Sequence, residues 1–330
     1  MFTSRPDPLL ATARQLAAAG SWRELVVLLT QRAESGLSAG EEATLYAEAL
    51  MRSGEERQAL AYLREIEGTL AEDGSRALHR RAVNMIGVAS LVLGDLEGAN
   101  AALSRALELA TRDDDLLMMA QASNNLGAIA NLQGRHEDAL WQYRLALPML
   151  QRLGQPTLLA QGYHNLAITF RDVGDLTEAD EHERRAIDYA NDGGAPRVAA
   201  MGRTGRAEIA LRRGDPQLAE TTARLCIEEF VKLGDLLNEG DAWRLAGAAC
   251  AAQQRHNDAL VDFSRALQIA RQHGYALNEA EALRDRVPVR VRVGERTLAL
   301  EDAHMAIGIF EKLGARAECD ALRAGLEALE

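Results

Sequence analysis

The chain contains residues that could do chemistry, but their spacing fits neither a catalytic nor a metal site. Seven histidines are scattered along it, and none pairs with another at metal-ligand spacing on one helix. His182-Glu183 opens like a zinc-binding run but continues as Arg184-Arg185. His136 and His256 occupy equivalent places near helix starts, where surface or capping roles are expected. Cys226, Cys250 and Cys319 lie far apart without CxxC spacing, in apolar helical patterns, so buried free thiols in a reducing compartment are expected. There is no GxGxxG, GxxxxGK or HExxH, and no serine in a nucleophile-elbow context. Asp113-Asp114-Asp115 falls between helical segments, where a solvated linker is expected. No catalytic residue, metal or cofactor follows. Side-chain amides remain, above all Asn124, Asn125 and Asn165. Asparagine is a poor helix former, so its repeated use within helices asks for a reason. An amide both donates and accepts, so the chemistry on offer is hydrogen bonding, including to a polypeptide backbone.

The elements that position these residues follow from a repeat. Gly54, Gly94, Gly134, Gly174, Gly214 and Gly294 are spaced by 40 residues or a multiple of it, and Gln254 fills the gap. Five residues after each stands an alanine: Ala59, Ala99, Ala139, Ala179, Ala219, Ala259 and Ala299. Ile66, Ala106, Ala146, Ala186, Cys226, Ala266 and Ala306 form a second column, and Ala47, Gly87, Gly127, Ala167, Ala207, Gly247 and Val287 a third. Each unit therefore reads as two helices. The first ends at the glycine, which can take the left-handed conformation that closes a helix. Asp95, Asp175 and Asp215 can cap the second, and Pro216 suits its first turn. The small residues mark where the two helices cross.

Two segments depart from this pattern. Val287-Pro288-Val289-Arg290-Val291-Arg292-Val293 alternates like a strand, yet its place between matching columns predicts a helix that Pro288 distorts. Ala315 to Leu329 carries Cys319, Leu322, Leu326 and Leu329 at helical spacing and predicts a C-terminal capping helix.

The chain is 330 residues long, 47% hydrophobic, and has a net charge of −12, with 37 Lys+Arg against 49 Asp+Glu. Such a balance repels phosphate backbones, and no basic cluster is interleaved with aromatics, so nucleic acid is not an expected partner. The first residues lack the apolar run of a signal peptide and no stretch approaches a membrane span. A soluble cytoplasmic protein is expected, and high Ala, Arg and Gly usage points to a bacterial source.

Asn125-Leu126-Gly127, Ala130, Gly134, Ala139, Tyr143 and Ala146 fall at the signature spacing of the tetratricopeptide repeat, as do Asn165-Leu166-Ala167, Phe170, Gly174, Ala179 and Ala186. Trp243, Gly247, Ala259, Phe263 and Ala266 match again. The chain thus resembles this family. Its 40-residue period is similar to that of kinesin light chains, Pins-type polarity adaptors and bacterial peptide-sensing regulators. The resemblance implies an all-α, right-handed superhelical solenoid of antiparallel helix pairs. One domain, 1–330, would hold eight units at about 7–36, 40–72, 75–112, 115–153, 156–192, 195–233, 235–273 and 275–313, with a cap at 315–329.

In this family the first helices of successive units line the concave face. Carried over, the inward positions are Arg81, Asn84, Val88 and Leu91; then Gln121, Asn124, Asn125, Ala128 and Asn131; then Gln161, His164, Asn165, Ile168 and Arg171. Met201, Thr204, Glu208 and Leu211 follow, then Asp241, Arg244, Ala248 and Ala251. The amides resemble the asparagine ladder of kinesin light chains. Equally, Asn125 and Asn165 could bond a neighbouring helix and set repeat geometry. The lysines of a carboxylate clamp are missing from these rows, which argues against a chaperone C-terminus as ligand. Val88, Leu91 and Val92 suggest an apolar pocket, which a partner or the protein's own termini could fill. The expected function is a non-enzymatic adaptor or scaffold that binds a peptide segment of a partner in the groove. Alternatives are a sensor whose superhelix responds to a small peptide or metabolite, and a homo-oligomeric assembly subunit.

Overall fold

A computed structural model describes residues 8–34, 40–72 and 75–327. The segment before Pro8, including the stretch read for a signal peptide, and Leu329 of the capping pattern lie outside the described residues. Among the described residues every regular element is a helix, and the helices form eight pairs with one more at the end. The first four pairs are α1 (Pro8–Ala18) with α2 (Trp22–Glu34), α3 (Glu41–Arg52) with α4 (Glu56–Glu72), α5 (Arg76–Val92) with α6 (Leu96–Arg112), and α7 (Leu116–Leu132) with α8 (His136–Arg152). Then come α9 (Pro156–Asp172) with α10 (Leu176–Asp192), α11 (Pro196–Arg212) with α12 (Pro216–Leu233), α13 (Leu236–Ala252) with α14 (His256–His273), and α15 (Ala276–Arg292) with α16 (Arg296–Lys312). The last helix, α17 (Arg316–Glu327), closes the stack. Each helix packs on its neighbours in sequence, and each odd helix from α3 to α13 also touches the next odd one. This is a helical-repeat solenoid.

The three columns of small residues are the crossings within pairs. The seven alanines from Ala59 to Ala299 have no exposed surface. Size is matched across each crossing. A Cβ placed on Gly127 would stand 2.7 Å from the Tyr143 ring, one on Gly87 2.5 Å from Leu103, and one on Gly247 3.1 Å from Phe263. Where the first helix offers Ala207 or Val287 instead of glycine, the facing residue shrinks to Ala223 or Ala303. At each of these crossings at least one partner is no larger than alanine, which lets the helices approach.

The turns are built as the spacing predicts. Asp95, Asp175 and Asp215 each accept a hydrogen bond from the backbone N–H three residues on, at 2.9, 3.1 and 3.1 Å. Asp115 and Asp235 do the same between units, at 3.1 and 3.2 Å. Gln254, in the place of the missing glycine, still adopts φ of +62°.

The alternating run 287–293 is helical, and α15 continues through Pro288, whose ring stands on the exposed side. The alternation fails as a strand because arginines share its buried stripe. Arg286 donates to both carboxylate oxygens of Asp302 on α16, each at 2.7 Å, and Arg290 approaches the same carboxylate at 3.2 Å.

The solenoid comes round far enough to rest on itself. His273 Nδ1 lies 3.2 Å from the Gly54 carbonyl oxygen, and the Tyr275 hydroxyl donates to Glu56 Oε2 at 3.3 Å. Both pairs are 219 residues apart in the chain. Leu96 shares a core with Ala280, Phe310 and Leu313, with Leu91 and Leu132 packed against it. Val92 packs beside Leu236, Leu237 and Tyr275. Turns of the early units thus sit on connections between the late ones.

A non-glycine residue in the left-handed region carries strain of roughly 1 kcal/mol. Gln254→Gly should therefore raise stability by up to about 1 kcal/mol in denaturant unfolding. Lower stability in the variant would contradict this account of the turn.

Candidate functional site on the inward face

The odd helices from α5 to α15 share one register, so residues 40 apart face the same way. Contacts between consecutive odd helices show which way that is. Arg244 on α13 donates to Asp285 on α15 at 2.7 Å and to Glu208 on α11 at 3.2 Å. It also bonds Asp241, one turn back on its own helix, at 2.9 Å, and Glu281 lies 3.7 Å away. Arg171 on α9 pairs with Glu208 at 3.0 Å and Asp172 at 3.2 Å. Arg284 bonds Asp285 and Glu318, both at 2.8 Å. Residues of one inward stripe on α9, α11, α13 and α15 therefore form a continuous ionic network, which reaches Glu318 on α17.

Its electrostatics follow from that geometry. Burial pushes Glu208 up, but Arg171, Arg244, Arg212 and Arg284 outweigh it and hold the carboxyl well below the usual range. Burial also pushes Glu281 up, with Asp241 and Glu208 adding to it. Arg244 and Arg284 oppose the rise only in part, and the carboxyl stands at about 7. Among the described residues, no group of three His, Cys, Asp or Glu side chains could hold a metal ion. The network is ionic and largely satisfied by its own members.

The same columns on α7 and α9 carry Gln121, Asn125, Gln161 and Asn165. All four are half-buried, and none of their amide groups is hydrogen-bonded to another residue. Among the described residues these four form a group of neighbouring inward amides with donors and acceptors left over. The other expected residues divide. Arg81 is ion-paired with Glu48 on α3. Asn84 is half-buried and its Oδ1 has no partner. Val88 is half-buried. Leu91 lies under the late units, where the solenoid meets itself. Asn131 bonds Asp172 at 2.9 Å and His136 at 3.0 Å, tying α7 to α9 and α8.

Two expected residues share the column of Arg244 and Arg284 and, like Arg244, are enclosed between neighbouring helices. Asn124 is 8% exposed, and its Oδ1, without a partner, is directed at Gly162 of the next unit. His164 is 9% exposed, and its Nδ1 is 3.0 Å from both oxygens of Glu183 on α10. Glu183 was not among the sequence candidates. It occupies the crossing position that holds Leu103, Tyr143 and Phe263 in other units, and Gly205 of α11 leaves room for it, since a Cβ there would overlap its carboxylate. A carboxylate in an otherwise apolar column was the signal that could have found it.

The tetratricopeptide-repeat family model matches residues 118–192, the units that carry the free amides. No curated protein is significantly similar to the chain in sequence. Solved structures are similar in fold. The Rap conjugation gene regulator of plasmid pLS20, in complex with the Phr* peptide, has a TM-score of 0.67 at 16% identity, covering 86% of this chain and 79% of that one. A Rap protein complexed with competence and sporulation factor has a TM-score of 0.59 at 12% identity, covering 97% and 96%. A chain of the APC/C heterotetramer Cut9–Hcn1 has a TM-score of 0.61 at 15% identity, covering 95% of this chain. This chain spans only 55% of that one. Among the described residues no helix is long and apolar enough to cross a membrane.

A carboxyl raised from 4.5 to about 7 stabilises the fold fully below pH 4.5 and loses that contribution as pH rises through 7. Glu281→Gln should therefore raise the melting temperature relative to wild type more at pH 8 than at pH 5. Equal shifts at both pH values would contradict the network's electrostatics. Residues 118–192 match the tetratricopeptide repeat, and the chain as a whole is a helical-repeat solenoid with a 40-residue period, similar in fold to solved structures of such repeats.

Proposed function

We propose that this chain is a non-enzymatic scaffold that holds an extended peptide of a partner protein by its main chain, against the inward amides of α7 and α9. The observation that carries this reading is the set of four half-buried amides, Gln121, Asn125, Gln161 and Asn165, left without hydrogen bonds. Their polar atoms reach solvent and are free to bond a ligand, and a peptide backbone supplies both a donor and an acceptor at each residue. Two amides on each of two consecutive helices form a ladder that accepts an extended chain largely irrespective of its side chains. Selectivity then falls to the neighbouring apolar positions, Val88, Ala128 and Ile168 on three successive inward helices. The ionic network further along borders the ladder through Arg171 and Asp172 and limits where an uncharged segment can lie. The Rap structures of similar fold, one holding the Phr* peptide and one the competence and sporulation factor, support a peptide as the kind of ligand. Three buried free cysteines fit a reducing, cytoplasmic setting.

Random peptides displayed on phage and selected on the wild type provide the test. The variant Gln121→Ala/Asn125→Ala/Gln161→Ala/Asn165→Ala, checked for unchanged helicity, should lose most of their affinity. At about 0.5–1.5 kcal/mol per hydrogen bond, four lost bonds weaken binding by roughly 30-fold or more. Selected peptides that bind wild type and variant equally would refute the ladder as the peptide site.

A further inference from the structure

We propose that the place where the solenoid meets itself is a latch, a seam that opens and closes as a unit while every helix pair keeps its core. The inward face is then enclosed in one state and open along one side in the other.

The first ground is the division of contacts. In a repeat stack each unit draws its stability from itself and its neighbours. The core around Tyr143 and Ala139 is made by α7, α8 and α9, and that around Phe230 and Ala223 by α11, α12 and α13. The seam joins units about five apart, and it does so only through turns and helix ends. Losing it removes no side chain from the crossings of the helix pairs.

The second ground is a balance of opposed forces within the seam. Apolar contact holds it: Leu96, Tyr275 and Leu313 are 5%, 1% and 2% exposed. Charge burial resists it. Glu56 is 7% exposed, its only side-chain partner among the described residues is the Tyr275 hydroxyl, and burial pushes its carboxyl above the usual range. Taking that carboxylate out of water with one hydrogen bond in return opposes closure. A contact held by a short apolar strip against such a cost is poised to open.

The third ground is steric. A Cβ on Gly94 would stand 2.8 Å from Ala276 Cβ and 3.1 Å from Leu313 Cδ2, whereas one on Gly174, Gly214 or Gly294 would meet nothing. All four glycines close the same kind of turn, with φ from +83° to +88°. At Gly94 the missing side chain therefore also lets the seam shut. The helices α5 and α7 carry seam residues at their ends, Leu91, Val92 and Leu132, and inward residues along their length. Opening the seam therefore frees the edge of the inward face. The latch rests on seam geometry alone and is independent of the peptide reading.

The test compares Gly94→Asn with Gly214→Asn. Asparagine tolerates positive φ better than most residues, and the two sites have φ of +83° and +85°, so backbone strain is matched. Each is made in a Leu313→Cys background, where the new thiol is a probe of seam opening and the three native cysteines are buried. Gly94→Asn should enlarge the radius of gyration in X-ray scattering and speed thiol labelling by about tenfold or more, with far-UV helicity unchanged. Gly214→Asn should do neither. Glu56→Gln, which removes the buried charge and keeps an acceptor for Tyr275, should slow labelling. Equal labelling in the two asparagine variants would overturn the latch, as would a loss of helicity in Gly94→Asn alone. Labelling that is not slowed by Glu56→Gln would overturn the balance on which the latch rests.

Discussion

Two helices approach closely only where one of them presents little more than a methyl group, and the five pairs from α5 to α14 meet that condition in three columns. The alanine column fixes one point of contact, and the glycine–tyrosine, glycine–leucine and glycine–phenylalanine crossings fix another by trading size across the interface. Each pair packs chiefly on its neighbours in the same register, so small rotations accumulate along the stack. The register of the inward stripe, the meeting of early turns with late connections and the position of the amide ladder all follow from that packing. A unit with a mismatched crossing would alter the curve for every unit beyond it.

Along that curve the inward face changes character. From α9 to α15 the stripe is occupied by arginines and carboxylates that satisfy one another, with Arg244 at the centre of four carboxylates. Removing such charges from water is tolerable only because each has partners. On α7 and α9 the same columns hold amides that satisfy no one within the chain. Charge is thus used where successive inward helices bond one another, and neutral hydrogen-bonding capacity is left on α7 and α9. Carboxylates outnumber arginines in the ionic half, and Glu281 records that imbalance in its raised affinity for a proton.

The fold could be read from the sequence because repetition multiplies weak signals. A lone Gly-Asp pair predicts little, but the same pair at Gly94-Asp95, Gly174-Asp175 and Gly214-Asp215 defines a turn and its cap. The alternation at 287–293 was misleading for the converse reason. A period of two says nothing about Arg286 and Arg290, which bury themselves on Asp302 from a helical stripe. The site was legible only in outline. Inward columns place a residue on a face to within one helical step, and that step separates Asn125, half-buried and free, from Asn124, enclosed beside Gly162. His164 was decided by a partner 19 residues away, Glu183, which sits in a column otherwise apolar. Leu91 was decided by residues more than 150 positions distant. No local pattern encodes how far a solenoid turns before it meets itself, because that angle is a sum over all the crossings.

The central claim is that a polypeptide main chain completes the free amides of α7 and α9. Side-chain amide NMR resonances of Gln121, Asn125, Gln161 and Asn165, followed while a phage-selected peptide is added, test it most directly. The account predicts that these resonances move and their exchange with water slows. The guanidinium signals of Arg244 and Arg284 should change little. Resonance changes confined to the outer helices, with the four amides unmoved, would contradict it.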